Sequence, residues 1–246
     1  MVSAVILVQH ATPETIIQFE DQLSNELPTR RGNWGFTFKI FRNNLYSVPE
    51  AIAGTHERNP TSQFLFTLAP TYLPGSTITI INGHSAGVFC NSIQEEVIEL
   101  GNNPELSIPD NHLHLGATTG LNDSFDLFLN QKLQSLWTQK QIIKGDGGQI
   151  YELENGKVLI KTSNVFMHGS FKGLLVQIEV DDSYRKRGGA ISATAVTERE
   201  EDANIIRQVL AKYNVPQGKI SFDVLDTAAS DRYGNLCLQY SRTLDF

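Results

Sequence analysis

Short apolar runs, broken by glycine, asparagine and proline, dominate this chain, and only a few stretches carry a helical repeat. Ala4–Gln9 is a compact β-branched run and reads as a buried strand. A helix start follows at once. Thr12 can cap it, Pro13 suits the first helical position, and Glu14 suits the positive end of the helix dipole. Ile16, Phe19, Leu23 and Leu27 then recur on one face, and Pro28 closes the run.

Residues 35–42 mostly alternate, as a half-buried strand does. Further strands are expected at 45–48, 63–69, 76–82 and 85–90, with turn residues between them. No segment between 30 and 90 has a convincing helical repeat. An antiparallel meander is therefore easy to build there, and a parallel βαβ sheet is not. Residues 91–121 are dense in Asn, Pro and Gly and read as a variable surface loop, with room for a short helix near 93–100.

The spacing predicts its longest helix over 124–141. Asn122, Asp123 and Ser124 offer caps, and Phe125, Phe128, Leu129, Leu133, Leu136 and Trp137 form one apolar stripe. Trp137 would anchor that helix to a sheet, and Gly145-Asp146-Gly147-Gly148 would end it in a turn. Strands at 149–154, 157–166 and 170–181 follow, the first two joined at Glu154-Asn155-Gly156-Lys157. Thr197 and Glu200 read as a capping box for a helix to about Tyr213, with Ile206, Val209, Leu210 and Tyr213 inward. A strand near 219–225 precedes a helix presenting Tyr233, Leu236, Tyr240 and Leu244. The fold class expected is α+β: one domain over 1–246, predominantly an antiparallel sheet closed or nearly closed into a β-barrel, with flanking helices.

Composition narrows the function. The chain is 40% apolar and has a net charge of −7, a surface that repels phosphate and disfavours broad nucleic-acid binding. Residues 1–123 hold 5 Lys+Arg against 12 Asp+Glu, whereas 124–246 hold 15 of each; the acidic half would suit a basic partner, but a solvated acidic surface is the simpler reading. Cys90 and Cys237 show no paired spacing, which fits a reducing compartment. The apolar start is too short for a signal peptide, and no apolar run approaches the roughly 20 residues that span a bilayer. A soluble intracellular protein is expected.

Four patterns invite chemistry. Gly83-His84-Ser85-Ala86-Gly87 matches a nucleophile elbow, which would make Ser85 the catalytic residue of a serine hydrolase, with Asp146 and His168 in the required chain order. Its surroundings argue otherwise: Val88-Phe89-Cys90-Asn91 reads as a strand rather than a helix, and no strand–helix series or oxyanion segment precedes it. A tight hairpin is the simpler reading. His112 and His114 could share a strand face, but no further ligand completes a metal site. Arg185-Lys186-Arg187, beside Tyr184, marks an exposed loop. Lys144–Gly148 places its glycines after a helix, the reverse of a phosphate loop. Phe171 stands out only as an isolated aromatic. A barrel with inward Lys and Glu would suit nucleotide or RNA processing, but the faces of 149–181 are not separable from sequence. No catalytic residue, metal or cofactor is assigned.

Several collinear blocks resemble the Mediator subunit 20 family, in its fungal form. They are Ser3–Val8 with Ala11-Thr12-Pro13; Leu136-Trp137 with Gln139–Asp146; Phe171–Leu175; and Gln239-Tyr240 with Arg242 and Leu244. Residues 91–121 and 183–219 match no block of that pattern. The resemblance implies an antiparallel β-barrel related to that of Mediator subunit 18. It implies a heterodimer with subunit 18, joined by a C-terminal helix of subunit 8, in the Mediator head module. That nuclear module links activators to RNA polymerase II, without enzymatic activity, direct nucleic-acid contact or membrane contact. The blocks build the fold, so they assign no partner-binding residue.

Overall fold

In the computed structural model, described here for residues 1–44, 63–81, 85–90, 125–184, 195–225 and 231–246, the chain divides into two compact units. The first comprises Met1–Gly35, Gly145–Val224 and Gln239–Phe246. The second comprises Phe36–Lys144 and Leu225–Leu238.

The first unit is built on β1 (Val2–Gln9), β7 (Val158–Met167) and β8 (Ser170–Val180). β8 lies between the other two and is antiparallel to both, with Val5 opposite Gln177 and Lys161 opposite Gln177. Alternation along these strands sends even-numbered residues of β1 and β8 to one face. There Ala4, Ile6, Val176 and Ile178 are buried with Phe19 and Leu23 of α1 (Pro13–Asn25), and with Ile206, Val209 and Tyr213 around α3 (Ala195–Lys212). The opposite face carries Gln177, which meets Tyr240 of α4 (Arg232–Thr243). Helices therefore cover this sheet on both sides.

Sequence chemistry sets the element ends. Thr12 Oγ1 accepts from the Thr15 amide at 3.2 Å, and Pro13 opens α1, as its residue order predicts. The turn into β7 follows the expected Glu154–Lys157 segment, with Glu154, Asn155 and Gly156 all at positive φ. One inward assignment is corrected: Leu27 is 90% exposed. Glu26 caps α1, and Leu27 then turns out at φ 53°, so it has left the helical face that its spacing suggested.

The second unit holds a meander. The later part of β2 (Thr29–Asn43) pairs with β3 (Phe64–Pro70), β3 with β4 (Ser76–Ile81), and β4 with β5 (Ser85–Cys90), every pairing antiparallel. This is the arrangement that the missing helical repeat predicted. Helix α2 (Phe125–Lys132) sets Phe125 and Leu129 against Phe41 and Leu65, with Ile81, Leu133 and Trp137 packed around them. Lys39 Nζ reaches Asp126 Oδ2 at 2.7 Å, and Thr67 Oγ1 donates to Asp126 Oδ1 at 3.1 Å, pinning the first turn of α2 to the strands beneath.

The expected 124–141 helix is cut to its first half. Trp137 instead opens β6, a 17-residue strand over Trp137–Leu153. Two local preferences favour strand here. Thr138, Ile142 and Ile143 are β-branched, and glycines at 145, 147 and 148 would weaken a helix. The Gly145–Gly148 segment is thus strand interior and not a helix cap. Gly147 has φ 65°, with its amide donating to Asp146 Oδ1 at 2.7 Å. Gly148 lies so close to its neighbours that an added Cβ would sit 2.3 Å from the Thr162 carbonyl oxygen.

The closed barrel is also corrected. Strand order runs β5-β4-β3-β2-β6-β7-β8-β1-β9, and among the described residues no ladder joins β5 to β9 (Lys219–Ser221), so the sheet as described is open. Closure needs two edges of matched length and stagger. The β9 edge is only three residues long, and the strand expected over 219–225 leaves the ladder after Ser221. No helix among the described residues is long and apolar enough to cross a membrane.

Candidate interaction surface and comparisons

The elbow reading of Ser85 fails on backbone geometry. Ser85 opens β5 directly opposite Ile81 of β4, in an antiparallel hairpin. A nucleophile elbow needs a strand-to-helix turn, and here strand meets strand. Of the residues in chain order behind it, Asp146 lies in β6, and His168 sits with φ 50° in the turn after β7. His112, His114 and Arg185–Arg187 fall outside the described residues. Among the described residues, no three His, Cys, Asp or Glu side chains converge as a metal site.

The first unit does contain inward charge, which the sequence pattern did not resolve. Lys161 Nζ meets Glu179 Oε1 at 2.5 Å with both side chains buried. Gln177 Nε2 donates to the same oxygen at 2.5 Å, and Gln177 Oε1 accepts from the Tyr240 hydroxyl at 2.8 Å. The register could have signalled this: β7 and β8 pair Lys161 with Gln177, so the three polar groups share a face. The chain Lys161–Glu179–Gln177–Tyr240 ties strand to strand and sheet to helix. Buried charge of this kind holds position, because each ion has a partner and a hydrogen bond.

A second knot surrounds Glu154. Its Oε1 accepts from Lys212 Nζ at 2.6 Å, Tyr213 Oη at 2.6 Å and Tyr184 Oη at 2.9 Å. Burial alone would raise the Glu154 pKa, but these hydrogen bonds and the Lys212 charge outweigh it and hold the carboxyl below its ordinary value. Burial first, then the bond to Glu154, pushes the Tyr213 hydroxyl above its ordinary value. The β6–β7 turn is thereby fastened to the end of α3. Cys237 is buried, and burial with the nearby Asp231 charge pushes its thiol pKa up, which leaves it a poor nucleophile.

Outward, several apolar side chains remain exposed. Ile220, Phe222 and Val224 cluster along and just beyond β9, each more than a third exposed. Phe171 is 41% exposed and meets Phe166 edge-on. Together these features describe an open antiparallel sheet buttressed by helices, with its described ionic knots holding elements together and apolar side chains left outside.

Comparison with known proteins gives the family. Residues 1–245 match the model of the TATA-binding related factor of subunit 20 of the Mediator complex. "Mediator of RNA polymerase II transcription subunit 20" of Debaryomyces hansenii is 60% identical over 246 residues, covering all of both chains. The protein of that name from Scheffersomyces stipitis is 56% identical, again over the whole of both. A chain of the Schizosaccharomyces pombe Mediator head module aligns with 86% of this chain and 94% of its own length, at 11% identity and TM-score 0.32. The chain belongs to the Mediator subunit 20 family.

Proposed function

We propose that this chain is a non-enzymatic subunit of the Mediator head module, a nuclear coregulator that helps link activators to RNA polymerase II. It acts by forming a heterodimer with Mediator subunit 18, to which a C-terminal helix of subunit 8 adds. The observation that carries the reading is the family match across residues 1–245, together with 60% identity over the full length of a relative named for this complex. The fold supports it. Its buried ion pair and its Glu154 knot hold elements in place, and its exposed apolar groups suit contact with other chains.

Its test is affinity purification of the tagged chain from nuclear extract. Recovery of subunits 18 and 8 in stoichiometric amounts is the expected result. Recovery without any Mediator subunit would contradict the proposal.

A further inference from the structure

Glu154 receives both ends of one excursion of the chain. The chain leaves β8 at Val180, turns through Asp182–Tyr184, and returns as α3, which ends at Lys212. Tyr184 opens the excursion and Tyr213 closes it, yet both hydroxyls donate to Glu154 Oε1, at 2.9 and 2.6 Å. Lys212 Nζ adds a third bond at 2.6 Å. The carboxylate stands on a fixed post. The Glu154 carbonyl accepts from the Lys157 amide at 3.4 Å, and the Lys157 carbonyl accepts from the Asp181 amide at 2.9 Å, where β7 and β8 begin and end their ladder.

Between its ends, α3 grips the sheet along one narrow stripe. Ala203, Ile206, Val209 and Tyr213 are buried at helical spacing, whereas Asn204, Arg207, Gln208 and Ala211 are exposed. Ile206, Val209 and Tyr213 lie in one apolar cluster with Ala4, Ile6, Val176 and Ile178. Past the helix the chain is fixed again at Gly218, where a Cβ would lie 2.3 Å from the Leu7 carbonyl oxygen, just before β9 pairs with β1. Asn214 takes φ 43° between these anchors, and residues 214–217 belong to no helix or strand. Elements with few buried apolar contacts open at a lower free energy than the whole fold. Here the ties at the two ends share one carboxylate, so releasing it frees both ends together.

We infer that α3 is a hinged cover, turning at residues 214–217 and latched on Glu154 through Tyr184, Lys212 and Tyr213. It opens as one unit and bares the apolar face of β1 and β8 while the sheet stays paired. The latch makes this opening depend on a side chain, Tyr184, that is not part of α3.

The test is native-state hydrogen exchange on the purified full chain, as wild type, Tyr184→Phe and Glu154→Gln, with Lys161→Met as a control in the sheet. Tyr184→Phe keeps the ring and removes only the hydroxyl, so it carries the test even where Glu154→Gln fails to fold. Circular dichroism confirms that each protein is folded. In wild type, amides of residues 203–212 are expected to exchange through one shared opening, faster than amides of residues 4–8 and 174–178. Tyr184→Phe should speed exchange across 203–212 roughly tenfold or more, as loss of a hydrogen bond to a charged group implies, and leave the sheet amides unchanged. Glu154→Gln should act in the same sense. Lys161→Met should speed the sheet amides and leave 203–212 unchanged. Equal exchange of α3 and sheet in wild type overturns the cover. So does Tyr184→Phe that leaves 203–212 unchanged, or that speeds α3 and the sheet alike.

Discussion

Lys161 and Glu179 form an ion pair at 2.5 Å between neighbouring strands, with side chains only 6% and 3% exposed. Inside a protein such a pair is costly to break and cheap to replace. Removing one partner strands a buried charge and costs roughly 3–5 kcal/mol, whereas removing both for apolar groups is often neutral. Lys161→Met is therefore expected to lower unfolding free energy by about 3–5 kcal/mol. Lys161→Met with Glu179→Leu should recover most of that loss. Urea unfolding of the three proteins measures it, and a double variant no better than the single would show that the pair does not act as a unit.

The Glu154 knot makes stability depend on pH at both ends. The carboxyl is held below its ordinary value, so its contribution is present above that value and is lost as pH falls through the folded pKa. Tyr213 is raised, so its contribution is present below pH 10 and is lost as pH rises further. Lys212 is raised by its bond to Glu154, and its contribution fades in the same alkaline range. Glu154→Gln should flatten the acid limb of a stability–pH profile and shrink the alkaline one. Tyr213→Phe should cost about 1.5–3 kcal/mol at neutral pH through the lost bond to a charged group. Thermal unfolding from pH 3 to 11 reads both, and coincident acid limbs for wild type and Glu154→Gln would contradict the assignment.

At Gly148 the limit is space. A Cβ would sit 2.3 Å from the Thr162 carbonyl oxygen and 2.7 Å from Trp34 Nε1, which itself donates to that carbonyl at 2.7 Å. Gly148→Ala is expected to cost about 1–3 kcal/mol, as overpacking of a filled core does, and to shift the Trp34 emission. At Gly169 a Cβ meets nothing within 4 Å, although φ is 77°. Gly169→Ala should cost only the roughly 1–2 kcal/mol of left-handed strain and leave the emission unchanged. Fluorescence-detected unfolding separates the two, and an altered Trp34 signal in Gly169→Ala would count against the packing account.

The hairpin at Ser85 predicts silence. Wild-type protein should show no labelling by a fluorophosphonate probe and no ester turnover, and Ser85→Ala should leave subunit binding unchanged. Labelling of wild type that Ser85→Ala abolishes would restore the hydrolase reading.

Where local chemistry decides the structure, the sequence was legible. Thr12-Pro13 marks the start of α1, and Ile81 and Ser85 pair on two antiparallel strands that read as strands from composition alone. Legibility failed where two periods compete. Leu133, Leu136 and Trp137 continue a helical stripe from Phe125, but Thr138, Ile142 and Ile143 favour extended chain, and only packing decides between them. Trp137 packs against the cluster of Phe41, Leu65, Phe125 and Leu129, two of which lie on strands far away in sequence. Closure of the sheet was equally out of reach, because it depends on where the last strand leaves its ladder, and β9 does so after only three residues, at Ser221. The inward charges of β7 and β8 needed the register, which alternation alone does not supply. For the interaction surface, the apolar residues Ile220, Phe222 and Val224 were visible, but their exposure was not.

The central claim is that this chain works by assembling with another subunit. Its most direct test is sedimentation of purified chain and purified subunit 18, alone and mixed at micromolar concentration. A single 1:1 species in the mixture, larger than either component, is the predicted result. Two unchanged components at every concentration up to tens of micromolar would contradict it.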